Sequence, residues 1–166
     1  MYDLLSGLTV IEGSAFVAAP LGGMTLAQLG ANVIRFDPIG GGMDFKRWPL
    51  DKKGNSLYWN GLNKGKKSIT INIRENEGRE LIKALICAPG PENGIFLTNH
   101  PPGGPLNFDD LKSKRKDLIM LNILGSHDGT PAVDYTINCA LGYPLATGPR
   151  NSENPVNHLL PAWDLV

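Results

Sequence analysis

The chain has 166 residues and a formal net charge of zero at pH 7, with 42% apolar and 19% charged residues. That length holds one domain with a real core, and the composition is ordinary for a globular fold. The charge balance excludes the basic footprint of a nucleic-acid or anionic-membrane binder, and no apolar stretch approaches the ~20 residues of a spanning helix. Met1-Tyr2-Asp3 opens acidic, unlike a signal peptide. Cys87 and Cys139 lack CxxC spacing and stand in apolar company, so they read as buried free thiols. A soluble cytoplasmic protein is expected.

Leu8 to Glu12 reads as a strand, broken by Gly13 and Ser14. Pro20 opens a helix where its missing N–H costs nothing, Met24, Leu26, Ala27 and Leu29 supply an apolar face, and Gly30 is placed to stop it. Val33 to Phe36 is the next strand, so strand, helix and strand fit within about thirty residues, the size of a βαβ unit. Residues 37–66 read as a long loop rich in Gly, Pro and Trp, and such loops are usually functional. Ser68 to Ile73 alternates as a strand does, and Glu77 to Cys87 is helical with Leu81, Ile82, Leu85 and Ile86 on one face. Ile95 to Leu97 is a short buried strand, Phe108 to Lys114 a short helix with Asn107 as its N-cap, and Leu118 to Leu124 another buried strand. The basic run from Lys112 to Lys116, among Asp109, Asp110 and Asp117, reads as a solvated face. Asp134 to Leu145 is helical, with Gly142 and Pro144 near its end. Apolar strands alternating with helices predict an α/β fold, a Rossmann-like, mostly parallel sheet with helices on both faces.

In such a sheet, ligands bind where the loops leave the carboxyl ends of the strands. The first turn, Glu12 to Pro20, can present backbone N–H groups to a phosphate, although it lacks the GxGxxG spacing. Asp37 closes the second strand, either as a ribose contact or as a turn former ahead of Pro38 and Gly40-Gly41-Gly42. Asn63 to Ser68 is only loosely like a phosphate loop, and His100, His127 and His158 are too scattered for a metal site. The residues alone reach an α/β domain with an anionic ligand at its loop ends, and do not choose a reaction.

Val10-Ile11-Glu12, Ala19-Pro20, Leu26 to Ile34, Gly41-Gly42 and Asp44 occur in an order that resembles the opening of family III CoA transferases. Asn63 with Lys66 to Ile69, Glu77-Gly78, Asn99 to Gly103 and Asp117 to Ile119 extend the resemblance over essentially the whole chain. Val10 to Gly42 and Val156 to Asp164 are most similar to a member that shifts CoA between the two carboxyls of one acid. The resemblance implies that residues 1–166 are the N-terminal portion of the large α/β CoA-binding domain. The small domain is then missing, and the chain is expected to be truncated and inactive alone. It implies no permanently bound cofactor, with CoA arriving as part of an acyl-CoA substrate. It also implies an interlocked homodimer at full length, and partners that include neither nucleic acid nor membrane.

By the same resemblance the nucleophile is Asp164, in Leu159-Leu160-Pro161-Ala162-Trp163-Asp164. CoA contacts fall at Val17 and Ala18, at Ile71, Asn72 and Arg74, at Asn99 and His100, and at Asp134. Arg74 is the candidate phosphate partner. Racemases of the family carry a His-Asp pair where this chain has Val133-Asp134, and valine cannot move a proton, so racemisation is not expected. Three other readings stay open: an NAD(P)-dependent oxidoreductase without its glycine fingerprint, a non-enzymatic remnant, and an intermolecular transferase for another acyl-CoA.

Overall fold

In the computed structural model, which describes residues 2–165, β1 (Thr9–Gly13) leads through α1 (Ala18–Gln28) to β2 (Asn32–Asp37). Next come α2 (Leu57–Leu62), β3 (Lys67–Thr70), α3 (Asn76–Ile86), β4 (Ile95–Thr98), α4 (Phe108–Lys114) and β5 (Ile119–Asn122). Three short helices follow, α5 (Asp134–Ala140), α6 (Tyr143–Ala146) and α7 (Ala162–Leu165). The chain divides into two compact units, Met1–Ile123 and Leu124–Val166. Among the described residues no helix is long and apolar enough to cross a membrane.

The first unit is a five-stranded sheet in the order β3-β2-β1-β4-β5, and every pairing is parallel. Side chains alternate between its faces, as a pleated strand requires. Val10, Val33 and Leu97 meet Ala19 and Ala27 of α1 on one face. Ile11, Phe36 and Phe96 meet Ile82 and Ile86 of α3 and Leu111 of α4 on the other. The order reverses between β1 and β4, so the loops after these two strands flank the sheet's topological switch point.

The long side chains expected to bury α1 do not. Its buried residues are Ala19, Pro20, Gly23 and Ala27, while Met24, Leu26 and Leu29 are only partly covered. The reason is close approach: a Cβ on Gly23 would lie 1.7 Å from Glu12 Oε2. Gly30, at φ 105°, ends the helix in the left-handed conformation a β-carbon disfavours.

Several other expectations are corrected. The loop 37–66 contains α2, capped where Ser56 Oγ accepts from Trp59 N at 3.0 Å. The last strand is a sheet edge rather than a buried element, and Ile119 and Leu121 are 61% and 59% exposed. The predicted helix 134–145 is two helices, separated by Gly142 at φ 71°. Cys139 is exposed and Cys87 half-buried, so neither thiol is fully enclosed. Within the basic run, Arg115 is buried and donates to the carbonyls of Ala88 and Gly90 and to Asp117. Asn107 caps α4 as expected, its Oδ1 accepting from Asp110 N at 3.0 Å.

Candidate functional site

The turn between β1 and α1 lies at the switch point and is tied on every side. Ala15 N donates to Asn99 Oδ1 at 3.0 Å, and Asn99 Nδ2 donates back to Ala15 O at 2.8 Å. Phe16 N donates to Asp44 Oδ2 at 3.0 Å, and Arg35 donates to Ser14 O at 2.9 Å. Phe16 needs this support, because φ 67° is costly for a bulky side chain. The Arg47 guanidinium lies 5.5 Å from the centre of its ring.

Beneath the turn is a set of charges that the sequence did not reveal. Arg35, at 0% exposure, holds Asp37 with two bonds, from Nε at 2.8 Å and from Nη2 at 2.9 Å. Glu12 and Asp44 stand 3.5 Å from the same guanidinium, on either side. Lys66 Nζ reaches Glu12 Oε2 at 2.8 Å, Asn63 Oδ1 at 2.8 Å and the carbonyl of Pro20 at 2.8 Å. Charges this deep are stable only when paired and hydrogen-bonded. Burial opposes the charge on Arg35, but Asp37, Asp44 and Glu12 outweigh it and hold the guanidinium protonated more firmly than usual. Burial prevails at Lys66, which is pushed below the ordinary lysine range despite Glu12. Asp37 is therefore a structural partner, neither a ribose contact nor a simple turn former. Lys66 is enclosed rather than aimed at a phosphate. The available signal was a Glu beside Val10-Ile11 in β1 and an Arg between Ile34 and Phe36 in β2.

The residues expected to face CoA fall into groups. Val17 caps and Ala18 opens α1, Val17 buried and Ala18 half-buried, directly after the turn that Asn99 holds at Ala15. His100 follows Asn99, its N–H bonded to Thr98 Oγ1 at 3.0 Å and its ring edge-on to Phe36, with centroids 6.2 Å apart. Burial, reinforced by Arg35, pushes His100 below its ordinary value of 6.5. A cleft of about 50 Å³ opens beside it, lined by Ile73, Phe96, Pro101, Leu106 and Met120 among others. Ile71, Asn72 and Arg74 also leave a carboxyl end, that of β3, but two strands away from β1. The Ile71 side chain is packed in the core, so only its backbone can meet a ligand. Asn72 and Arg74 are exposed.

The second unit brings two other predicted residues together. Asp134 Oδ2 accepts from Trp163 N at 2.5 Å and from Asp164 N at 3.2 Å. Asp134 is 7% exposed, and Asp164 is half-buried in α7.

The sequence profile of CoA-transferase family III matches residues 5–166. The chain belongs to that family. Over 167 aligned positions it is 62% identical to the 2-methylfumaryl-CoA isomerase of Chloroflexus aurantiacus, covering 100% of this chain and 41% of that enzyme. It is 29% identical to the human succinyl-CoA:glutarate CoA-transferase, over 98% of this chain and 38% of that protein. A crystal structure of a CAIB/BAIF family protein from Brucella suis superposes with a TM-score of 0.86 at 29% identity, covering 99% of this chain and 46% of that one. This family III chain thus spans less than half the length of these relatives. The parallel α/β sheet expected of the family is present.

Proposed function

We propose that this segment is the N-terminal portion of the large CoA-binding domain of a longer transferase, one that moves CoA between the two carboxyl groups of 2-methylfumarate (mesaconate). The observation that carries this reading is the 62% identity, sustained over the whole chain, to an enzyme named for that isomerisation. The geometry supports it with a closely tied turn at the sheet's switch point, where α/β folds receive ligands. In this reading the enzyme works in the cytoplasm as an interlocked homodimer, and its remaining length supplies the small domain.

The Asp164 carboxylate attacks the thioester carbonyl and expels CoA thiolate, leaving a mixed anhydride. The thiolate attacks the aspartyl carbonyl of that anhydride, giving an aspartyl-CoA thioester and the free dicarboxylate. The dicarboxylate turns over, and its other carboxylate attacks the aspartyl thioester and releases the thiolate again. Attack of the thiolate on the acyl carbonyl of the new anhydride forms the isomeric CoA ester and restores Asp164. Holding CoA and dicarboxylate in place between steps makes each return attack effectively intramolecular.

The test sets residues 1–166 in place of the matching stretch of the Chloroflexus aurantiacus isomerase. Incubation with 2-methylfumaryl-CoA and hydroxylamine should modify Asp164, read by peptide mass spectrometry. Asp164→Ala should lower turnover on the order of 10⁴-fold or more, as deletion of a covalent nucleophile does. Normal turnover by Asp164→Ala would remove the basis of the mechanism. Incorporation of isotopically labelled mesaconate from solution would reassign the enzyme as an intermolecular transferase.

A further inference from the structure

Asp134 is the first residue of α5 and is 7% exposed, and a carboxylate so placed needs partners. It finds them in a distant stretch of chain. One oxygen, Oδ2, receives both the Trp163 and the Asp164 N–H groups, at 2.5 and 3.2 Å. The other, Oδ1, accepts from Asn138 Nδ2 at 2.9 Å, one turn along α5. The two amides belong to the first turn of α7, where N–H groups have no partner inside the helix. A four-residue helix has almost no stability of its own, so its direction is set by whatever ties it down. Other ties are lateral: Tyr135 OH donates to Leu159 O at 3.2 Å, and the Tyr143 and Trp163 rings meet with centroids 6.4 Å apart.

We propose that Asp134 is a positioning residue for CoA transfer, its Oδ2 gripping the Trp163 and Asp164 amides and so fixing the direction in which the Asp164 carboxylate leaves the backbone. The inference rests on the reading of Asp164 as the acylated group. It gives Asp134 a task other than contact with CoA, since both its oxygens are already engaged within the unit. Nucleophilic attack is sensitive to aim, and a shift of about 1 Å can cost about 10²-fold.

The role requires an acceptor and not a charge. An asparagine amide can serve: its oxygen would face the two N–H groups and its nitrogen would face Asn138. The Asn138 Oδ1 is buried with no hydrogen-bond partner, so turning that amide over supplies the matching acceptor. A carboxylate that moved a proton or balanced a ligand's charge would not survive the same change.

The experiment uses the full-length chimaera described above and measures kcat, KM for 2-methylfumaryl-CoA, and melting temperature. Asp134→Asn should keep kcat within about fivefold of the parent, the worth of one exchanged hydrogen bond. Asp134→Ala should lose about 10²-fold in kcat with KM nearly unchanged, because aim is lost and binding is not. If Asp134→Ala cannot be recovered folded, Asp134→Ser replaces it with the same expected loss, its hydroxyl being too short to reach both amides. Equal losses in the Asn and Ala variants would overturn the proposal in favour of a charge-bearing role. A rise in KM at constant kcat would overturn it in favour of a binding role. A lowered melting temperature with full kcat would reduce Asp134 to a structural part. Failure of the Asp164 reading is separately visible, as turnover by Asp164→Ala and no hydroxylamine label at that position.

Discussion

Arg35 occupies a strand position that would ordinarily hold an apolar side chain, and three carboxylates converge on it. Removing the guanidinium leaves Glu12 its bond to Lys66 but strips Asp37 and Asp44 of their buried counter-charge. Arg35→Met should therefore destabilise the chain by about 3–5 kcal/mol, the cost of breaking a buried ion pair by deleting one partner, as read by urea denaturation. His100 acts in the opposite sense. Its folded value lies below 6.5, so the unfolded chain binds the proton more readily. The contribution of His100 is fully present above pH 6.5 and is lost as pH falls through the depressed folded value. A His100→Asn chain should show a flatter dependence of unfolding free energy on pH between 7.5 and the folded value, measured by denaturant titration at each pH.

At the scale of elements, α3 divides its expected apolar face in two. Ile82 and Ile86 are 0% exposed, whereas Leu81 is 52% exposed. Ile82→Ala should cost about 2–5 kcal/mol and Leu81→Ala about 0.5 or less, compared by thermal or urea unfolding. This division marks how far periodicity can be read. Strongly patterned segments such as β1, β2, α3 and α4 were legible to within a residue or two, and so was the Asn107 cap. What stayed hidden depended on partners distant in sequence. Met24 and Leu26 looked like the buried face of α1, yet the helix packs closely through Gly23, where a side chain would collide with the Glu12 carboxylate. Leu118 to Leu124 looked buried because an apolar run does not say whether a strand is central or at an edge. The candidate site was legible chiefly through motif resemblance. Asn99 was singled out in that way, but its clamp on Ala15 could not be foreseen from a residue 84 positions away.

At the scale of the molecule, the first of its two units is a parallel sheet with unequal cover. Parallel sheets are normally buried on both faces. Here β5 closes the sheet with Ile119 and Leu121 standing 61% and 59% exposed, beside a run of backbone groups that no further strand pairs among the described residues. Uncapped, apolar edges of this kind recruit other chains. For residues 1–166 in solution, light scattering should grow with protein concentration, and Ile119→Lys with Leu121→Lys should suppress it without lowering the unfolding free energy. The same greasy border determines how the protein behaves on a bench. Fusion to a solubilising carrier should raise the yield of dispersed protein far more than any change made inside the core.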